Sequence, residues 1–239
     1  MSRPHTRHQS GRRTNRQQGF TIIELLIATL VFSLVLILIT VSVLTFTKSY
    51  FRGVNQSNTQ NVARTILEGI AQSIQFTGDT VNPMLTPAGD GSQGFCIGNK
   101  RYSFIPGWQL MDGTPDASLN QSKHALVMDA SSSCNGLPAQ AVLNGNPVGT
   151  ELLSPRMRLA KLKVEPTNDA TVWRITVRVV FGDNDLLCSP SVPGDCQSPN
   201  TSSPINKQDL TCKVAFAGSE YCAVSELSTE VKKRITAGQ

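Results

Sequence analysis

Histidine is scarce, with three in 239 residues. His5 and His8 fall in the first 19 positions, which leaves His124 as the single imidazole of everything downstream. A multi-histidine metal site is excluded, and a histidine-based catalytic site would have to use His124, around which nothing suggests one. Acidic residues are missing from the first 19 positions, where five arginines stand (Arg3, Arg7, Arg12, Arg13, Arg16). The formal net charge of +5 belongs to that segment, because the remainder holds seventeen basic and seventeen acidic residues. The net charge therefore requires no nucleic-acid groove on a folded domain. Aromatics are sparse, at 6%. No two cysteines have the C-x₂₋₄-C spacing that zinc usually takes. The expectation is a chain with no metal, no cofactor and no catalytic residue.

Six cysteines are present, Cys96, Cys134, Cys188, Cys196, Cys212 and Cys222, all downstream of one long apolar run. An even count on one side of that run reads as disulfides in an oxidising compartment. Proximity favours Cys96 with Cys134 and the other four among themselves, with the connectivity left open. The run itself, residues 20–46, is apolar apart from Glu24 and scattered Thr and Ser. At 1.5 Å per helical residue it can span a hydrocarbon core of about 30 Å. Five arginines before it and Lys48 after it predict an N-terminus inside and an exported remainder. A cleaved secretory signal fits less well, since the run is too long and the following TFTKSYFRG has no small-residue site.

The organisation read from the chain is a basic leader over 1–19, a transmembrane helix over 20–46, an amphipathic helix over 47–77 and a β-rich extracytoplasmic head over 78–239. Val54, Val62, Ile66, Ile70 and Ile74 mark one helical face, and Thr77-Gly78-Asp79 marks its end. Residues 78–94 read as loop, with strands near 95–98, 101–105 and 124–129. The clearest strand is 171–181, where Trp173, Ile175, Val177, Val179 and Phe181 alternate with the other face. Residues 156–164 also alternate, but the apolar phase shifts after Leu159, which predicts a bulge near Ala160–Lys161. Residues 165–170 read as a hairpin loop, 183–210 as a long loop stapled by cysteines, and 212–217 and 222–229 as strands. The expected class is α+β, one long helix packed on an antiparallel β-sheet head.

Glu24 is the oddity. A carboxylate in an apolar span costs on the order of 2.5–3.5 kcal/mol near its centre and less near the interface. No basic residue lies in the span to pair with it. The stretch Gly19-Phe20-Thr21-Ile22-Ile23-Glu24, behind a basic leader and opening an apolar helix, resembles the signal of type IV prepilins and type II secretion pseudopilins. The resemblance implies that prepilin peptidase cuts after Gly19 and that Phe20 becomes an N-methylated terminus. It also implies that the Glu24 carboxylate attracts the terminal ammonium of a neighbouring subunit during assembly. The partners it implies are the peptidase, other pilin or pseudopilin subunits, an inner-membrane assembly platform and membrane lipid. The implied destination is a cell-surface or periplasmic filament built from the bacterial inner membrane. The size of the head and its late cysteines look like PilW-like minor pilins or GspJ-like pseudopilins more than a major pilin.

Rival sites are weaker. Asp183-Asn184-Asp185 has a calcium-loop flavour but reads better as a polar turn. Trp108 and Tyr102 read as core rather than as an adhesive surface. Arg156, Arg158, Lys161, Lys163, Arg174 and Arg178 lie on two neighbouring strands. They read as a solvated sheet face rather than a stripe for DNA or anionic glycans, so nucleic acid is allowed but not supported. An adhesive or DNA-capturing tip subunit would use 183–222. A signal-anchored enzyme would need a nucleophile and base that the chain does not display.

Overall fold

A computed structural model describes residues 20–77, 81–85, 91–117, 120–130, 149–169, 171–197, 209–213 and 216–234. The chain divides into two compact units, the first ending at Phe46 and the second running from Thr47 to the last residue, Gln239. One unbroken helix, α1 (Ile22–Phe76, 55 residues), contributes to both. In the first unit its large apolar side chains, from Ile22 to Phe46, are exposed. In the second unit Thr59, Ala63, Ile66, Ile70 and Ile74 are buried, at successive spacings of three or four, which is one face of a helix. Each buried isoleucine contributes about 2 kcal/mol of burial. Val54, read from the sequence as the first residue of that face, is exposed, and Thr59 takes a place in it by donating its hydroxyl to Asn55 O at 2.7 Å. At the helix end, Gln75 O accepts from Arg234 N at 3.1 Å and the Arg234 guanidinium lies over the Phe76 ring, a favourable place for a cation.

The described strands, in chain order, are β1 (Val81–Leu85), β2 (Gln93–Ile97), β3 (Lys100–Phe104), β4 (Gln109–Leu110), β5 (Gln121–Ser122), β6 (Leu126–Ala130), β7 (Thr150–Glu151), β8 (Met157–Pro166), β9 (Val172–Phe181), β10 (Leu187–Cys188), β11 (Thr211–Cys212) and β12 (Ala223–Lys232). They form a sheet of order β1-β2-β3-β6-β7, a second of order β12-β9-β8-β4-β5, and the small pair β10-β11. Pairing is antiparallel except between β4 and β5, which run parallel. The fold is α+β, as the sequence patterning predicts. Besides the two-residue strands β4, β5, β7 and β10, which the patterning does not predict, two differences are local. Residues 81–85, inside the expected loop, pair with β2, so Pro83 sits on an edge strand, where a missing N–H is tolerated. The strand expected over 212–217 is only the two residues of β11, and a short 3₁₀ turn covers Ser219–Tyr221.

The alternation on β9 meets its purpose in the main core. Ile175, Val177 and Val179 are fully buried with Leu159, Leu162 and Val164 of β8, the α1 isoleucines, and Phe95, Tyr102 and Phe104 of the other sheet. Trp173 and Phe181 are partly buried against it. The β8–β9 register shifts between Leu159 and Lys161, so Ala160 is the extra residue. The bulge keeps Leu159 and Leu162 on the same buried face although three positions separate them. Ala160 itself enters a second core with Val180, Leu186, Leu187, Leu210 and Cys222. This core covers the opposite face of the β8–β9 sheet at one end. Trp108 packs with Ile105 and Val127, and Tyr102 stacks on Phe95 with ring centroids 4.8 Å apart. Both are core residues.

Candidate functional site

The helix starts with its own cap. Thr21 precedes the first helical residue and Glu24 is the third. The Thr21 N–H donates to Glu24 Oε2 at 3.0 Å, and the Thr21 hydroxyl donates to the same oxygen at 2.9 Å. In return the Glu24 N–H donates to Thr21 Oγ1 at 3.3 Å. This is a reciprocal capping box, which satisfies amide donors that a helix N-terminus otherwise leaves open. Thr-x-x-Glu is itself the sequence signal for it. Thr21 is thus a hydrogen-bonding partner for Glu24 within the same chain, though it supplies no counter-charge. Phe20 is exposed, and Gly19 and the leader lie outside the described residues.

Along the apolar segment the few hydroxyls turn back onto the helix. Ser33 donates to Thr29 O at 2.7 Å, Thr40 to Leu36 O at 2.8 Å, Ser42 to Leu38 O at 2.8 Å and Thr45 to Val41 O at 2.9 Å. Each polar group is satisfied without a partner from outside, as hydrocarbon surroundings require. Among the described residues, this is the one helix long and apolar enough to cross a membrane.

The described cysteines are oxidised. Cys188 bonds Cys196 and Cys212 bonds Cys222. Cys96 is also disulfide-bonded, and Cys134, its expected partner, lies outside the described residues. The Cys212–Cys222 bond ties β11 to the residue that precedes β12. Asp209 anchors the segment that follows β10, accepting from the Ser189 and Ser191 hydroxyls and from Ser191 N at 2.9 Å. Burial works against its charge, but those hydrogen bonds prevail and hold its pKa down at about 2.

The rival sites resolve into structure. Asp183 pairs with Arg156 and accepts from Gln109 Nε2 at 3.2 Å, while Asn184 Oδ1 accepts from Arg158. The 183–185 segment is a polar turn, and no cluster of metal-ligating side chains occurs among the described residues. His124 Nδ1 lies 3.6 Å from Glu151 Oε2. The Glu151 oxygens accept from the backbone N–H groups of Ala125, Leu126 and Leu153 at 2.9–3.0 Å, so this carboxylate holds the β6–β7 junction. Burial raises its pKa, with those amides opposing the shift.

The expected basic face is neither uniform nor unpaired. Arg158, counted with it from the sequence, is fully buried and donates to Gly107 O at 3.0 Å and Gln109 Oε1 at 3.1 Å. Desolvation pulls its pKa down to about 10, against the nearby Asp183 charge. Alternation alone could not show this, because the outward face of β8 is itself covered there by the 182–184 turn. Arg174 pairs with Glu230 at 2.7 Å, and Lys161 and Arg178 both lie 3.6 Å from Glu226. A groove of about 590 Å³ opens between α1 and the β2–β3 hairpin, lined by Gly69, Ser73, Phe76, Tyr102 and Met128 among others. Lys100 donates to Ser73 Oγ there at 3.3 Å.

A family model described as the prokaryotic N-terminal methylation motif matches residues 14–40. No curated protein and no solved structure matches the chain. The match brackets the leader end, the Thr21–Glu24 box and most of the exposed apolar helix, so the chain carries a type IV pilin-like N-terminal methylation signal.

Proposed function

We propose that the chain is a structural subunit, a minor pilin or pseudopilin, of a type IV pilus or a type II secretion-like filament. Prepilin peptidase cuts after Gly19, and Phe20 becomes the N-methylated terminus. Residues 20–46 hold the subunit in the bacterial inner membrane with the head exported, and the same helix then packs against those of other subunits as the assembly platform draws them out. The observation that carries this reading is the methylation signal at 14–40 opening an unbroken, exposed, apolar helix. An exposed apolar surface of this extent calls for lipid or for other helices.

The role of Glu24 follows from its chemistry. A carboxylate and an ammonium, each costly alone in hydrocarbon, offset one another when packed together. Cleavage after Gly19 leaves the Thr21 amide and hydroxyl in place, so the capping box is compatible with the mature chain. It keeps the carboxylate at the first turn, beside the terminus that cleavage creates. Nothing in the pairing of the β8–β9 cations with Glu226 and Glu230 favours a nucleic-acid-capturing head, and the reading assigns the head no catalysis. In the native host, Glu24→Ala is expected to be processed and stable in the membrane but depleted at least tenfold from sheared filaments. Incorporation at the wild-type level would refute the assembly role.

A further inference from the structure

Lys48 and Arg52 lie one helical turn apart, two and six residues past Phe46, on a helix that does not break between the apolar run and the head. Both are exposed, and neither has a carboxylate partner among the described residues. This sets them apart from Lys161, Arg174 and Arg178, which face Glu226 and Glu230. Between them and the turn that Cys212–Cys222 staples lies a cleft of about 420 Å³, lined by Lys48, Ser49, Arg52, Phe216, Ser219 and Glu220. The turn is fixed against the helix. Asn55 Nδ2 donates to Glu220 O at 3.3 Å, Gln56 Nε2 donates to Val224 O at 3.1 Å, and the Phe51 and Tyr221 rings lie 5.5 Å apart. Gly218, at φ +89°, gives the turn a backbone that other residues rarely adopt, and a Cβ there would come within 3.2 Å of Leu186.

We propose that this cleft binds the phosphodiester of a membrane lipid head group and seats the head on the exported face of the bilayer. The inference rests on the membrane-anchored reading above. Two cations and one carboxylate leave the cleft a formal charge of about +1, which suits a phosphodiester of charge about −1, and hydroxyls at Ser49 and Ser219 can donate to its oxygens. Tyr50, Phe51 and Tyr221, all exposed, supply the aromatic girdle that favours the head-group layer. Basic residues just outside a span gain from lipid phosphate at close range.

The test uses the full chain in nanodiscs of phosphatidylethanolamine and phosphatidylglycerol and in phosphate-free maltoside micelles, read by hydrogen exchange. The amides of 217–222 are expected to exchange about tenfold more slowly in nanodiscs. The double variant Lys48→Gln/Arg52→Gln should lose that difference while the β8 and β9 amides keep their protection, which controls for folding. Equal exchange in both media with residues 22–46 protected in the nanodisc would overturn the head-group site alone. Unprotected 22–46 in the nanodisc would overturn the anchor and the site with it. If inorganic phosphate added to micelles slows 217–222 as much as lipid does, the site is one for free phosphate and the lipid assignment fails.

Discussion

Thr21 donates twice to one oxygen of Glu24 and accepts from its amide, so the residue that looked isolated is part of a closed local circuit. Removing the hydroxyl removes two of those three bonds. Thr21→Val is expected to fray the first turn by about 1 kcal/mol, seen as roughly fivefold faster amide exchange at residues 22–25 in micelles. Unchanged exchange would mean that the cap contributes nothing. Arg158 is the matching case in the head. Its guanidinium bridges Gly107, Gln109 and Asn184 across the β4–β8 edge. Arg158→Ala removes the donor to the buried Gly107 and Gln109 oxygens and is expected to cost about 3 kcal/mol. Urea unfolding of the solubilised chain measures it, and Arg174→Ala, on the exposed face, should cost under about 1 kcal/mol.

Two elements carry the stapled end of the head, the β10–β11 pair and the turn that leads into β12. Closing a segment of about ten residues contributes about 2–3 kcal/mol, and the Cys212–Cys222 bond also holds Cys222 in the second core. Cys212→Ser with Cys222→Ser is expected to lower stability by at least that amount and to raise exchange at Leu187 and Val180 before the main core is affected. Asp209 gives the same region an acid response. Its folded pKa, about 2, lies below the unfolded value. Its contribution is therefore present above the unfolded value of about 3.9 and is lost as the pH falls through 2. Proteolysis between Cys188 and Cys212 should accelerate over that window, and Asp209→Asn should show the faster rate already at neutral pH. Element by element, the helix, the bulge at Ala160 and the strands β8, β9 and β12 were legible, because each has a period that burial enforces. The short strands β4, β5 and β7 were not, because two residues have no period. The parallel β4–β5 pairing was hidden for the same reason, and the burial of Arg158 because it depends on Gly107, Gln109 and Asn184, distant in sequence, coming together.

The whole molecule joins an apolar half-helix, which has no protein cover among the described residues, to a head built on the other half. At the candidate site, Gly19, Phe20 and Glu24 lie within the methylation signal at 14–40, and the Thr21 cap was present in the letters but unread. The head offered less, because its glutamates and arginines neutralise one another and give no outward pattern. The central claim is that the signal at 14–40 is cut and the helix behind it assembled. The most direct measurement is the mass and N-terminal sequence of the membrane-associated protein from its native host. The account predicts a mature chain that begins at N-methylated Phe20. An intact leader in cells with active prepilin peptidase, or a terminus beyond residue 46, would contradict it.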